Sequence, residues 1–131
     1  MNVAITNVEE RRNVKFDLEE RTGKFGSSVI EFARLIPKNA VTLPLVSQLV
    51  RSGTSVGANY CEADDAESRN DFKHKIGICK KEARETRHWL KMILVAESSL
   101  SSKAAPLIQE AKELNLIFNA IVNSTNKAKI I

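Results

Sequence analysis

The sequence predicts an all-α protein that folds as an up-down-up-down antiparallel four-helix bundle, and three observations lead to this fold class. Hydrophobic residues make up 43% of the 131 residues, which is enough for one compact core. Aromatic residues are only 5% of the chain, and it has 5 glycines and 3 prolines, a composition that disfavours strands and permits long helices. Four segments repeat apolar residues in alternating steps of three and four, the spacing of bundle helices.

The first two helices are predicted at about 17–36 and 43–66. Asp17 is a candidate N-cap for the first helix, and Pro37 ends its pattern. The second contains Gly53 and Gly57, each of which costs a helix about 1 kcal/mol relative to alanine. We therefore expect close approach of a neighbouring backbone there, or a local kink. The seams are Leu18, Thr22, Phe25, Val29, Phe32 and Ile36 in the first helix, and Val46, Leu49, Val50, Gly53, Val56, Gly57 and Tyr60 in the second.

The third and fourth helices are predicted at about 68–100 and 103–126. Ser68 and Asp71 form a capping-box pattern at the start of the third helix, and the serine-rich residues 98–102 break the chain before the fourth. Because all three connections are short, neighbouring helices should run antiparallel. The seams are Phe72, Ile76, Cys79, Ala83, Thr86, Leu90 and Ile93, then Ala104, Leu107, Ala111, Leu114, Phe118 and Ile121.

The domain organisation is predicted to be simple. Residues 1–16 lack apolar periodicity, so we expect a flexible lead-in to a single domain over 17–131. The apolar runs are much shorter than the roughly 18–20 residues of a membrane span, and no signal peptide pattern is present, so we expect a cytoplasmic protein with no membrane partner. Cys61 and Cys79 fit a reducing compartment, and we interpret both as small buried side chains, not as disulfide partners.

The positive charge of the chain is concentrated in the third helix. The window 73–91 holds seven basic and two acidic residues, a net charge of 7 − 2 = +5, whereas the whole chain carries +4. At 100° per residue, five of the basic residues fall within a stripe about 60° wide, which lies about 100° from the apolar seam. This cationic stripe consists of Lys73, Lys80, Arg84, Arg87 and Lys91.

The cationic stripe has more than one interpretation. Such a stripe is often a solvated helix face, here partly neutralised by Asp64 and Asp65 of the second helix. Alternatively, it binds the phosphate backbone of RNA or DNA, or forms salt bridges between subunits. No aromatic residue interleaves with the stripe, so stacking on single-stranded bases is not indicated.

Two further surfaces are candidates for contact with a partner. On the third helix, Ile78, Trp89 and Met92 are apolar residues away from the seam, which indicates either a contact with another subunit or, for Trp89, packing against the fourth helix. On the second helix, a polar stripe opposite the seam indicates a solvated face, a contact between subunits or a ligand contact. This polar stripe consists of Gln48, Arg51, Ser55, Asn59 and Glu62.

The sequence does not indicate an enzyme. The pairs Glu85 with His88 and Asp71 with His74 have the spacing found in di-iron bundles, but both lie on one helix, fourteen residues or about 21 Å apart. A dinuclear site needs such pairs on facing helices. A Gly-rich phosphate loop, a nucleophile elbow and a Cys-x-x-Cys pattern are all missing from the sequence. We therefore expect no catalytic site, no metal site and no cofactor.

One long segment carries a family resemblance. Residues 48–63, QLVRSGTSVGANYCEA, closely resemble the signature of the four-helix bundle proteins related to the 23S ribosomal RNA intervening-sequence proteins. Residues 72–78, FKHKIGI, and 81–90, KEARETRHWL, continue the resemblance, and residues 17–22, DLEERT, extend it forward. It covers about Phe16 to Asn126. The commoner family pattern has a proline at the position of Gly57. A proline inside a helix produces a kink, so its replacement by glycine leaves the predicted kink of the second helix without this cause.

The resemblance implies a small bacterial bundle that assembles into a ring, typically a pentamer, and has no catalytic residues. A protein that resembles the family in fold, the accessory variability determinant of diversity-generating retroelements, binds nucleic acid and a reverse transcriptase. We therefore expect a homo-oligomer that binds structured RNA or DNA through the cationic stripe, in association with the ribosome or its RNA. The alternative is a protein-assembly adaptor with no role in nucleic-acid binding.

Overall fold

Helices account for nearly all of the chain that the structure describes. The computed structural model describes the backbone of residues 8–129 and the side chains of residues 18–126, and no strand occurs in this part. The helices are α1 (Val8–Leu35), α2 (Thr42–Asp64), α3 (Arg69–Ala96) and α4 (Ser101–Lys129), with a 3-10 turn at Ser98–Leu100. The predicted all-α class is confirmed.

The four helices form an antiparallel bundle with up-down-up-down topology. Each helix packs against the next one in the chain, and α1 contacts α4 to close the bundle, although less extensively. The connections are short, which forces consecutive helices to run in opposite directions. As a result, α3 lies between α2 on one flank and α4 on the other.

The observed boundaries correct two expectations. Helix α1 begins at Val8, nine residues before its predicted start, and Asp17 lies inside the helix instead of capping it. The flexible lead-in over residues 1–16 stays a prediction, and residues 1–7 lie outside the described residues. Residues 8–16 have no apolar seam but include several good helix formers. They extend a helix that already exists, so no new helix nucleus has to form. Helix α3 ends at Ala96, four residues earlier than predicted, where the serine-rich segment turns into the 3-10 helix.

The start of α3 follows the predicted capping pattern. Ser68 has an extended backbone, and its Oγ accepts a hydrogen bond of 3.1 Å from the backbone N–H of Asp71. This bond satisfies one of the N–H groups that the first turn of a helix leaves without a partner. The first residue of α3 is therefore determined locally.

The apolar seams meet in one core along the bundle axis. Most predicted seam residues are buried, including all five within α1 and Ile36, which directly follows it. Val46, Val50, Phe72 and Ile121 are only half-buried. One cysteine prediction is confirmed and the other is wrong: Cys79 is buried, whereas Cys61 is exposed, and neither forms a disulfide. Cys61 is off the α2 seam, next to the buried Tyr60, which explains its exposure.

The seam glycines of α2 permit close packing against α1. A Cβ atom added to Gly53 would lie 2.7 Å from Cγ1 of Val29, and one added to Gly57 would lie 3.3 Å from the carbonyl oxygen of Thr22. Val29 is fully buried, and a β-branched side chain in a helix has one strongly preferred rotamer, so it cannot easily move aside. The expected close approach of a neighbouring helix is therefore observed, and α1 is the neighbour.

We expect Gly53→Ala to lower the free energy of unfolding by up to about 2 kcal/mol. The new methyl group overpacks the contact with Val29, which costs about 1–3 kcal/mol, and the higher helix propensity of alanine offsets about 1 kcal/mol of this cost. Gly23→Ala is the matched control: nothing lies within 4 Å of its added Cβ, so it should stabilise the protein by about 0.4–1 kcal/mol. Urea denaturation followed by circular dichroism measures both values. Equal stability of the two variants would contradict the close contact.

Candidate nucleic-acid interface

The flank of α3 that faces α2 carries paired charges. Arg51 of α2 makes ion pairs with Glu82, at 3.1 Å, and with Glu85, and Lys75 of α3 pairs with Glu62 of α2 at 2.7 Å. The hydrogen bond to Glu85 is the main cause that raises the pKa of Arg51 above its ordinary value. Both acidic residues of the 73–91 window are thus bound to α2.

The acidic residues in the middle of α4 face the opposite neighbour, α1. Glu110 accepts hydrogen bonds from Nε and Nη2 of Arg21 at 2.8 and 2.7 Å, a bidentate pair, and Glu113 lies 3.8 Å from the same guanidinium. Two parallel bonds fix the geometry of such a pair. Together with Glu82 and Glu85, these carboxylates are held on faces that point away from the contact between α3 and α4.

The other flank of α3 faces α4 and carries the cationic stripe. The side-chain amide of Asn115 on α4 donates a 2.8 Å hydrogen bond to the backbone carbonyl of Lys80, which identifies this flank. Arg84 and Lys91 are exposed, and the other stripe residues are half-buried. Among the described side chains, none of the stripe residues has an ion-pair partner. The stripe residues, as predicted, are Lys73, Lys80, Arg84, Arg87 and Lys91.

Arg87 differs from the other members of the stripe. Its Nε atom is buried and has no hydrogen-bond partner in the described part of the chain. A buried donor without a partner is costly in a folded protein, typically by about 1–3 kcal/mol. The inner part of this side chain therefore belongs to the packed surface between α3 and its neighbours, and Arg87 is less suited to a charge-reversal test than exposed Arg84.

The structure adds a cation that sequence reasoning missed. Lys112 is exposed and precedes Asn115 by three residues, so it lies on the same flank of α4. In an antiparallel pair in which residue 115 meets residue 80, residue 112 meets residues 83 and 84. Lys112 therefore lies on this flank of α4 at the level of Arg84. We call the surface formed by the cationic stripe and this flank of α4 the α3–α4 edge.

The predicted polar stripe of α2 is largely satisfied within the chain. Arg51 and Glu62 pair with α3, Ser55 donates to the carbonyl of Arg51, and Asn59 donates to the carbonyl of Ser55 at 2.8 Å. Gln48 accepts a bond from Arg51. These bonds organise the α2–α3 flank of one chain, and a contact with another subunit or a ligand stays a prediction.

The second predicted contact surface on α3 is half-buried. Ile78, Trp89 and Met92 all have intermediate exposure. The indole N–H of Trp89 donates to Glu85 at 3.2 Å, and Glu85 in turn pairs with Arg51. Because Glu85 is bound to α2, this bond places the indole of Trp89 on the α2 side of α3, which does not favour the alternative in which Trp89 packs against the fourth helix. Its use in contacts between subunits stays a prediction.

The described side chains offer no cluster of metal ligands, and the buried thiol is unreactive. Among residues 18–126, no group of three or more His, Cys, Asp and Glu side chains is close enough to hold a metal ion. Glu85, one candidate ligand, is bound to Arg51 and Trp89. Burial raises the pKa of the Cys79 thiol to about 12, so this group stays protonated at neutral pH and is a poor ligand or nucleophile.

Comparison with known proteins identifies the family. The family described as 23S rRNA-intervening sequence protein matches residues 15–120 of the chain. The chain belongs to this family. The match spans α2 and α3 entirely, most of α1 and much of α4, so the cationic stripe lies inside the shared region.

A solved structure agrees with this family. The crystal structure of a protein of unknown function from the S23 ribosomal protein family of Bacteroides thetaiotaomicron is similar to the structure of this chain, with a TM-score of 0.73. The two sequences are 28% identical. The similarity covers 80% of this chain and 97% of that chain. No curated protein matches the chain significantly.

None of the helices in the described part of the chain has an apolar stretch that could span a bilayer.

The two cysteines of this family member should differ in reactivity. At pH 8 the native protein should react with Ellman's reagent at one thiol, Cys61, because Cys79 is buried and its raised pKa suppresses the thiolate. Unfolding in guanidinium chloride should expose the second thiol. The variant Cys61→Ser is the control and should show no fast reaction while folded. Rapid reaction of two thiols in the native protein would contradict the burial of Cys79.

Proposed function

We propose that this protein is a non-enzymatic, homo-oligomeric helical bundle that binds the backbone of RNA or DNA through the α3–α4 edge. One observation carries the proposal: the carboxylates of the central turns of α3 and α4 are bound to α2 and α1, and the stripe cations have no ion-pair partner among the described residues. The unneutralised row from Lys73 to Lys91 is about 27 Å long. A chain of phosphates is a polyanion that matches such a row.

The energetics expected for this interface are those of phosphate binding. Each lysine or arginine that neutralises a phosphate releases condensed counterions into solution. With five cations engaged, the logarithm of the association constant should fall with the logarithm of salt concentration with a slope of about four to five on a duplex. Such binding is fast and depends little on sequence, which suits a surface with many cations and no base-stacking aromatic residues.

Assembly of several copies would strengthen binding. One stripe of five cations gives modest affinity, but a ring brings several stripes to one nucleic acid, and the effective concentration of the second contact is then high. The family resemblance supports a ring, with a pentamer as the favoured size. The description of the family, 23S rRNA-intervening sequence protein, supports ribosomal RNA as a candidate ligand and, with it, a cytoplasmic location.

A second candidate function is that of a protein-assembly adaptor. Exposed apolar side chains favour it: Val41 is 64%, Leu43 54% and Val95 81% exposed. They lie at the same end of the bundle, where α1 and α3 end and α2 begins. Exposed apolar groups grouped in this way are typical of protein contacts. In this case the cationic stripe would pair with carboxylates of a neighbouring subunit.

A pull-down with and without nuclease should separate the two functions. If the protein binds nucleic acid, nuclease should remove most of the captured material, and Val41→Ser with Val95→Ser should leave the captured RNA unchanged. If it is an adaptor, captured proteins should survive nuclease treatment and be lost with the double serine variant. Both serine changes are at exposed positions, so the fold should be retained.

Charge reversal tests the proposed interface directly. We expect Lys80→Glu, Arg84→Glu and Lys91→Glu together to weaken binding to a labelled RNA hairpin and to a 20-base-pair DNA duplex by about 100-fold or more, since three phosphate contacts become repulsive. Fluorescence anisotropy at fixed salt measures the dissociation constants. Circular dichroism melting confirms that the variant folds.

The matched control reverses three exposed cations elsewhere: Lys24 and Arg34 on α1, and Lys103 at the start of α4. Both triple variants change the net charge from +4 to 4 − 6 = −2. If binding depends on the α3–α4 edge, the dissociation constant of the control variant should rise only a few-fold, because its net charge lowers the electrostatic potential of the whole protein. Equal losses in both variants would contradict the proposed site.

A further inference from the structure

Beside the cationic stripe, α4 carries a row of side-chain amides. Asn115, Asn119 and Asn123 follow one another at intervals of four residues, so they share one side of the helix. The hydrogen bond from Asn115 to the carbonyl of Lys80 places the first member of this row against α3. By the antiparallel register of that contact, Asn119 and Asn123 lie opposite the first turns of α3. We call these three residues the amide row.

Two members of the amide row are available to a ligand. Asn119 is half-buried and Asn123 is exposed, and neither side chain has a hydrogen-bond partner among the described residues. By contrast, Asn59 on α2 donates to the carbonyl of Ser55 on its own helix. Each free amide offers two donors and one acceptor oxygen. The α3–α4 edge therefore presents hydrogen-bonding capacity in addition to charge.

The backbone of α3 is also accessible at this point. A Cβ added to Gly77 would have no neighbour within 4 Å, so the helix surface is open there. Gly77 lies one turn before Lys80 and one turn after Lys73. By the same register, it lies at the same height along the bundle as Asn119. A sugar–phosphate chain held by the stripe can thus approach closely where the amides are free.

The two rows differ in what they can recognise. A lysine or arginine only donates and reads phosphate charge, which RNA and DNA share. An amide both donates and accepts, as does the ribose 2′-hydroxyl, the group that distinguishes RNA from DNA. Packed helices lie about 8–10 Å apart, so the amide row is displaced by that distance from the phosphate row. In an A-form duplex the 2′-hydroxyls line the wide, shallow minor groove between the backbones.

We infer that the α3–α4 edge selects double-stranded RNA over DNA, with the cationic stripe on the phosphates and Asn119 and Asn123 on the 2′-hydroxyls of the minor groove. This inference rests on the proposed function, which leaves the choice between RNA and DNA open. A duplex is the expected form because the edge has no aromatic residue on which unpaired bases could stack. Shape and hydroxyl contacts, without base readout, are typical of double-stranded RNA recognition.

The experiment compares three 20-base-pair duplexes of one sequence: RNA, DNA and fully 2′-O-methylated RNA. The methylated duplex keeps the A-form and the phosphates but loses the hydroxyl donor. In anisotropy titrations the wild-type protein should bind RNA about tenfold more tightly than either of the other two, the effect of a few hydrogen bonds. Asn119→Ala with Asn123→Ala should reduce RNA binding to the DNA level and leave DNA binding and the salt slope unchanged.

Alanine is a better helix former than asparagine, so the double variant should fold at least as well as the wild type. Gln48→Ala, which removes an exposed amide on α2, is the control and should retain the RNA preference. Equal wild-type affinity for the three duplexes, or an RNA preference that survives in the double variant, overturns the inference while the proposed function stands. No binding to any duplex overturns the proposed function as well.

Discussion

The packing of α3 between α2 and α4 is the constraint on which the surface chemistry of this protein depends. The buried seam of α3, including Ile76, Ala83 and Leu90, fixes the rotation of the helix about its axis. Once that rotation is fixed, one flank must face α2 and the other α4. The acids Glu82 and Glu85 then pair with Arg51, and the cationic stripe lies on the flank where Asn115 of α4 bonds to the backbone of Lys80. Burial of the apolar seam thus determines which flank of α3 carries the acidic residues and which carries the cationic stripe.

The ion pairs of the bundle matter for where charge is placed more than for stability. Arg51 is nearly half exposed at its side chain, and exposed pairs contribute about 0–1 kcal/mol. Stability comes mainly from the apolar seams and from the close contact of Gly53 with Val29. The pairs nevertheless remove four carboxylates from the surroundings of the stripe. The same acids facing α4 would cancel the positive potential of the α3–α4 edge.

Helical periodicity predicted the parts of the fold that depend on local spacing. The four seams and the cap at Ser68 follow from positions along one helix, and the structure agrees with them. The predicted start of α1 was wrong because residues 8–16 have no apolar pattern, so periodicity gives no signal where a helix extends beyond its core contacts. The prediction that Cys61 is buried was wrong because Cys61 directly follows buried Tyr60. Successive residues of a helix differ by about 100° in direction, which is enough to turn Cys61 from the core to solvent.

The sequence by itself determined which residues share a face, since 3.6 residues per turn fixes angles within a helix. It could not determine which neighbour each face meets, because that depends on contacts between residues far apart in the chain. Only the tertiary structure decided that Arg51 pairs with the acids of α3, that the indole of Trp89 bonds to Glu85 on the α2 side, and that Asn115 bonds to the backbone of Lys80. The partners of a helix flank are set by the packing of whole helices, and a one-dimensional pattern carries no information about it.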